Sequence, residues 1–216
     1  MKGLLKNNYY AMLPNTKVLL IVVSFLLVLN IGLKNQILMI SYVLLCMIGF
    51  PLNSVTSLQK ESVTKWNKYK LTMPVTRAAI VRSYYVSLLL CLSIGIVFAG
   101  VGIVPAIMLH GFPFDKNIDI FMLLVAGASS SLFMGAIFLP LFYSGGEERG
   151  EMFLVISVLC GIGIVIGIIV CINILVPPPV TTIQLILSGI GMLVSALIIF
   201  AVSYPLTVAV YHKKEY

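Results

Sequence analysis

Residues 153–175 read FLVISVLCGIGIVIGIIVCINIL, an apolar run without a single Asp, Glu, Lys or Arg. An α-helix needs roughly 20 predominantly apolar residues to cross a hydrocarbon core about 30 Å thick, so this stretch by itself reads as a membrane crossing. Lipid offers no partner to a backbone N–H or C=O, and a lone segment satisfies all of its own only as a helix. Outward from it, apolar runs between polar boundaries predict further spans at 18–33, 37–55, 80–109, 118–142 and 183–211. The 216-residue chain is 60% hydrophobic and 10% charged, and its mean hydropathy is +1.10. The expectation is an all-α integral membrane protein, one domain over 1–216, with six transmembrane helices and no room for a soluble domain.

The net charge of +7 would suggest nucleic acid in a soluble protein, but here the basic residues follow the membrane topology. All of them fall on one side of the predicted spans except Lys34 and Lys116. Lys and Arg resist translocation during insertion, which places both termini in the cytoplasm, so the basic residues are read as topology signals and no nucleic-acid partner is expected. The cytoplasmic side then holds 1–16, a long segment at 58–76 and a loop at 144–152. Leu5, Tyr9, Met12 and Leu13 follow helical spacing ahead of Pro14, which predicts an amphipathic interfacial helix on the inner leaflet over 1–16. The first apolar run ends at Leu33 without a small-residue cleavage site, so the N-terminus is read as retained. Cys46, Cys91, Cys160 and Cys171 all lie in apolar stretches and read as small buried residues.

An ionisable side chain inside the bilayer is a functional signal by default, because burying its charge in hydrocarbon is costly. The predicted spans carry none near their centres, so a proton relay has no members. No H-E-x-x-H is present, and no serine pairs with a histidine at similar depth; the chain is read as no enzyme. Small residues recur at four-residue spacing instead: Gly127, Ser131 and Gly135, then Gly163 and Gly167, then Gly191 and Ser195. They predict close helix packing, within the chain or between two copies.

The segment LQKESVTKWNKYKLTMPVTRAAIVRSYY at 58–85 holds the densest polar information. Val63, Trp66 and Tyr69 share one face of a short amphipathic helix that Pro74 would end, and Thr76 is placed to cap the helix that follows. The result is a cytoplasmic elbow joined to a membrane helix. Its basic and aromatic residues suit anionic lipid headgroups, and equally a docking knob for a cytoplasmic protein.

At these residues the chain resembles the ABC-2 type permease family, particularly its small six-helix bacterial members, which include the permeases of phenol-soluble modulin exporters. The resemblance rests on Glu61, Lys65, Trp66, Tyr69, Leu71, Pro74, Val75, Thr76, Arg77, Ile80 and Val81, which are similar to the family pattern of an acid, K-W-x-x-Y, L-x-x-P-V-[ST]-R and I-V. A second stretch, Leu139, Pro140, Leu141, Tyr143, Gly146, Glu148, Arg149 and Gly150, is similar to the loop between the fourth and fifth helices, with Glu151 where a basic residue is commoner. The opening MKGLL is also familial, with Asn7 in place of an acid. The resemblance implies that the elbow is a coupling helix docking into a separate ABC ATPase. The coupling set it implies is Glu61, Lys65, Trp66, Tyr69, Pro74 and Arg77 in the elbow, with Glu148 and Arg149 in the second loop. It further implies two ATPase copies, a second permease copy or paralogue, and export of amphipathic or hydrophobic peptides. The chain has no G-x-x-x-x-G-K-[ST] to cradle phosphates, so ATP and Mg2+ would belong to the ATPase and no cofactor to this chain. The rival reading is a stand-alone membrane protein, a secondary transporter or an immunity or scaffold factor, whose elbow meets only lipid.

Overall fold

The computed structural model describes residues 2–63, 76–111, 114, 118–145, 149–175 and 181–213. Six helices account for nearly all of them: α1 (Lys2–Gly32), α2 (Gln36–Val63), α3 (Arg77–His110), α4 (Ile118–Gly145), α5 (Gly150–Leu175) and α6 (Thr182–Lys213). Each is long and apolar enough to cross a membrane. The shortest has 26 residues and the longest 34; at 1.5 Å per residue they reach roughly 39–51 Å, more than the hydrocarbon core, so they tilt or project from it. Every helix except α5 contains one proline: Pro14, Pro51, Pro105, Pro140 and Pro205.

Two elements differ from the sequence expectation. The segment at 1–16 is helical, but from Lys2 it is the first part of α1 and not a separate interfacial helix. Its inward side is anchored to α3: Asn8 Nδ2 donates to Ser83 Oγ and Ser87 Oγ, each at 3.2 Å, and Cys91 Sγ contacts Met12 Sδ at 3.7 Å. Asn8 and Met12 are buried and Tyr9 is 60% exposed, so the buried face is turned away from the Tyr9 edge of the apolar stripe. Pro14 removes one helical N–H, and the helix continues through it with Thr16 Oγ1 donating to Met12 O at 2.9 Å. At the other boundary, α2 does not stop at Val55 but runs on to Val63, into the predicted elbow.

Helix ends are set locally. Thr76 caps α3, its side chain accepting from the Ala79 amide at 3.3 Å. Gly111 ends the same helix with φ 73°, a conformation open to glycine, and its amide returns to Ile107 O at 2.8 Å.

α2 and α4 form the interior of the bundle. About half of the apolar window of α2 and 61% of that of α4 are buried, against 11% for α1 and 17% for α5. α4 packs most extensively on α6 and α5, and α2 on α3 and α1. Glycines make the closest approaches. A Cβ on Gly95 would stand 2.5 Å from the Cys46 carbonyl oxygen, and one on Gly102 would enter the Tyr42 ring. Gly127 backs onto the Met47 side chain, Gly135 onto Leu88 and Phe200, and Ser131 Oγ donates to Met47 O at 2.6 Å. The Gly127, Ser131 and Gly135 row of α4 thus faces three neighbouring helices.

The rows of α5 and α6 lie elsewhere. Nothing stands within 4 Å of a Cβ built on Gly163, Gly167 or Gly191, and Ser195 Oγ donates only to Met192 O of its own helix. Beyond Gly150 at the start of α5, the tight glycines of these helices are Gly161, against Ser130 O and Met134 N of α4, and Gly189, against Phe121 and Met122. Each lies two residues before the expected row, about 200° around the helix, so the packed face is nearly opposite. The cysteines divide in the same way: Cys46 and Cys91 are buried, whereas Cys160 and Cys171 on α5 are exposed. An α5 that leans mainly on α4 and is apolar all round leaves most of its surface outward.

Gly95→Leu is expected to destabilise the fold by about 1–3 kcal/mol, because the obstacle is backbone and cannot rotate away. Gly163→Leu, into open space, should stay within about 0.5 kcal/mol. Thermal unfolding of both variants in the same detergent reads the contrast.

Candidate functional site

The elbow and the second loop leave from the same end of the bundle, where α2, α4 and α6 finish and α3 and α5 begin. Gly150, the first residue of α5, is buried against the Gln59 side chain of α2 and Phe142 of α4; a Cβ there would meet Gln59 Cγ at 3.1 Å and Phe142 Cε2 at 3.3 Å. A contact at the root of one loop therefore bears on the root of the other.

Arg77 joins a second pair of helices. It is the first residue of α3, and its Nη1 donates to the Tyr211 carbonyl at 3.0 Å and the His212 carbonyl at 3.2 Å, in the last turn of α6. Those carbonyls have no helical partner of their own and carry the negative end of the helix dipole, which makes a guanidinium a natural cap for them. The guanidinium carbon also lies 5.5 Å from the Tyr211 ring centroid. Tyr211 is 3% exposed, with its ring 4.7 Å from that of Tyr143 at the end of α4. Arg77, Tyr211 and Tyr143 thus lock α3, α6 and α4 together at the start of α3.

A third latch binds α1 to the end of α2. Lys60 Nζ donates to Asn15 Oδ1 at 2.6 Å, Asn15 Nδ2 to Thr56 Oγ1 at 3.2 Å, and Asn53 Nδ2 to Thr16 Oγ1 at 2.6 Å. Deeper in the bundle, Tyr85 Oη lies 2.7 Å from Ser203 Oγ and 2.9 Å from Thr207 Oγ1. Ser203 Oγ also donates to Ala136 O at 2.7 Å, and Thr207 Oγ1 to Ser203 O at 2.8 Å. Three hydroxyl hydrogens serve four contacts, so the α3–α4–α6 joint always leaves one contact unfilled and can exchange which one. The serine run at 129–131 is structural: Ser130 Oγ donates to Ala126 O and Ser131 Oγ to Met47 O and Gly127 O.

Of the residues expected at this site, Arg77 is half-buried and engaged as above, and Arg149 is exposed beside the start of α5. Glu61 lies in the last helical turn of α2, but its side chain, together with Lys65, Trp66, Tyr69, Pro74 and Glu148, is outside the described residues. Sequence reasoning missed Tyr211, and it named Tyr143 only as part of the resemblance, without a structural role. A tyrosine near the end of an apolar run reads as an interfacial anchor, and only its burial beneath Arg77 marks a structural role.

A family model described as ABC-2 family transporter protein matches residues 3–212. No curated protein and no solved structure matches the chain.

Arg77→Gln removes the charge from the α6 carbonyls and should speed amide hydrogen exchange in the last turn of α6 and the first of α3, while Arg77→Lys restores part of the protection. A hydrogen bond to a charged group contributes about 1.5–3 kcal/mol; partial solvation of this site places the expected loss at the low end of that range. Unchanged exchange at Tyr211 and His212 would rule out the latch.

Proposed function

This chain belongs to the ABC-2 family of transporter proteins, and from that premise we propose that it is the permease subunit of an ATP-driven exporter whose ATPase is a separate chain. The family match over 3–212, nearly the whole length, is the observation that carries this reading. In it the elbow at 58–76 is the coupling helix. Trp66 and Tyr69 are its aromatic anchors, Glu61 and Lys65 its polar contacts, Pro74 its terminator, and Glu148 and Arg149 a second contact. Both termini and these segments face the cytoplasm of a bacterial cell.

The latches above supply a route for the force. A movement imposed on the elbow meets Arg77 first, and through it α3 and α6 turn as a pair. α1 follows α3 through Asn8, Ser83 and Ser87, and α5 follows α2 and α4 through Gly150. ATP in the partner drives such a change only by favouring one arrangement over the other. Two permeases and two ATPases complete the assembly, with the pathway where the permeases meet. The cargo is an amphipathic or hydrophobic peptide, a class suited to the outward faces of α5 and α6, where large apolar side chains are exposed from Val155 to Leu206.

The test is co-purification of the tagged chain in mild detergent with a candidate ABC ATPase from the same genome, followed by ATP turnover with and without amphipathic peptide. A stable complex stimulated by peptide is expected. Trp66→Ala should abolish the complex without changing the amount of membrane-inserted chain, whereas Arg77→Gln should leave binding in place and lower the peptide-stimulated turnover. No complex for the wild-type chain would overturn the reading in favour of a stand-alone membrane protein.

A further inference from the structure

Arg82 is the other arginine of α3, five residues beyond Arg77 and so roughly 7.5 Å further along the helix. Arg77 is taken up by the α6 carbonyls. Arg82 is exposed, and among the described residues it has neither a hydrogen-bond nor an ion-pair partner. A guanidinium cannot give up its proton, and one facing lipid without a counter-charge is unfavourable even when its stem lets the head rise toward the interface.

Beside Arg82 the surface is concave. A groove of about 410 Å³ runs between α3 and α6, lined by Arg82, Tyr85 and Leu89 on one wall and Phe200, Ala201 and Tyr204 on the other. Its order follows the antiparallel pair. The helix ends meet at Arg77 and Tyr211, the charge and Tyr204 come next, and Leu89, Phe200 and Ala201 lie deeper. From Arg82 to Leu89 the groove extends about 10 Å into the apolar zone. Its floor is the Tyr85 ring, which packs on Phe200 at 4.8 Å and edge-on to Tyr204 at 5.4 Å, with its hydroxyl between Ser203 and Thr207.

A cation at the mouth and an apolar trough running inward match one molecule: an anionic head on a hydrocarbon tail, oriented along the bilayer normal. We propose that the groove between α3 and α6 is a binding site for an anionic phospholipid, with the phosphate held by Arg82 and one acyl chain lying along Leu89, Phe200 and Ala201. Charge complementarity selects this occupant over a neutral lipid. The planar guanidinium offers a phosphate two parallel N–H donors, whereas a choline headgroup brings its own cation to compete. The site sits on the joint between α3 and α6, so a bound lipid braces the same pair that Arg77 ties at its end. This inference needs the chain in a bilayer but no partner ATPase, so it stands or falls separately from the exporter reading.

The experiment uses the full-length chain exchanged into detergent micelles containing equimolar phosphatidylglycerol and phosphatidylcholine of the same acyl length, with retained lipid counted by native mass spectrometry. Phosphatidylglycerol is expected to be retained preferentially. Arg82→Gln should lower that retention about tenfold, the factor carried by one lost charge-assisted pair, and Arg82→Lys by less. Ala201→Phe, which fills the trough from an exposed position without altering charge, should expel both lipids. Lys6→Gln, an exposed cation elsewhere on the surface, should change nothing. Equal retention of the two lipids, undiminished phosphatidylglycerol on Arg82→Gln, or an equal loss on Lys6→Gln would overturn the site. Displacement of the phospholipid by an acidic amphipathic peptide at lower concentration than by phosphatidylglycerol itself would reassign the groove to peptide.

Discussion

Inside a bilayer, helices gain nothing by hiding apolar side chains from lipid tails that are equally apolar, so association has to come from close contact and from hydrogen bonds between helices. The approach of α3 to α2 at Gly95 and Gly102 is where this constraint is met most fully. With no Cβ at either position the Cys46 carbonyl and the Tyr42 ring fill the space. The Tyr42 hydroxyl then donates to Phe98 O at 2.6 Å, and Asn30 Nδ2 to Gly102 O at 3.1 Å. One glycine seam therefore seats α2, α3 and α1 together. The parallel seam of Gly127, Ser131 and Gly135 brings α4 against the same core.

Inside this bundle most polar contacts between helices are made by amides and hydroxyls of short reach, with charged contacts confined to the helix ends. That choice has a mechanical effect. A buried ion pair is costly to break, but a hydroxyl that trades one acceptor for another moves at little cost. The Tyr85, Ser203 and Thr207 group, with more contacts than hydrogens, is such a joint. Asn8 Oδ1, Asn53 Oδ1 and Ser129 Oγ are buried without a partner among the described residues, and each marks a place where an alternative packing would gain a hydrogen bond.

The periphery follows a different rule. α5 meets α4 through Gly161 and otherwise presents Val155, Leu159, Ile166 and Ile174 outward. Nothing polar restrains it there, so its position is set almost wholly by its contact with α4 and by Gly150 at its start. At the opposite extreme, α3 is tied at its start by Arg77, along its length by Asn8, Tyr42 and Tyr85, and at its end by His110 Nε2 with Ile31 O at 2.8 Å. A helix restrained at so many levels moves as a body, which suits an element whose first turn follows the elbow.

Sequence alone determined the number of crossings, their approximate limits, the cap at Thr76 and the resemblance that the family match bears out, because each rests on composition, local spacing or motif. Those signals are one-dimensional: twenty apolar residues span a membrane whatever surrounds them. Tertiary structure decided which face of each helix is inside. Small residues spaced four apart mark a face able to pack, yet Gly163, Gly167 and Gly191 look outward while Gly161 and Gly189, on nearly opposite faces, make the contacts. In lipid both faces are apolar, so hydropathy cannot separate them. Structure likewise turned the leader at 1–16 into a continuation of α1, since Asn8 finds its acceptors only on α3, some 75 residues away in sequence. It also set Arg77 against the carbonyls of α6 and left Arg82 facing a groove, two arginines of one helix whose different roles are settled by what the neighbouring helix brings to each.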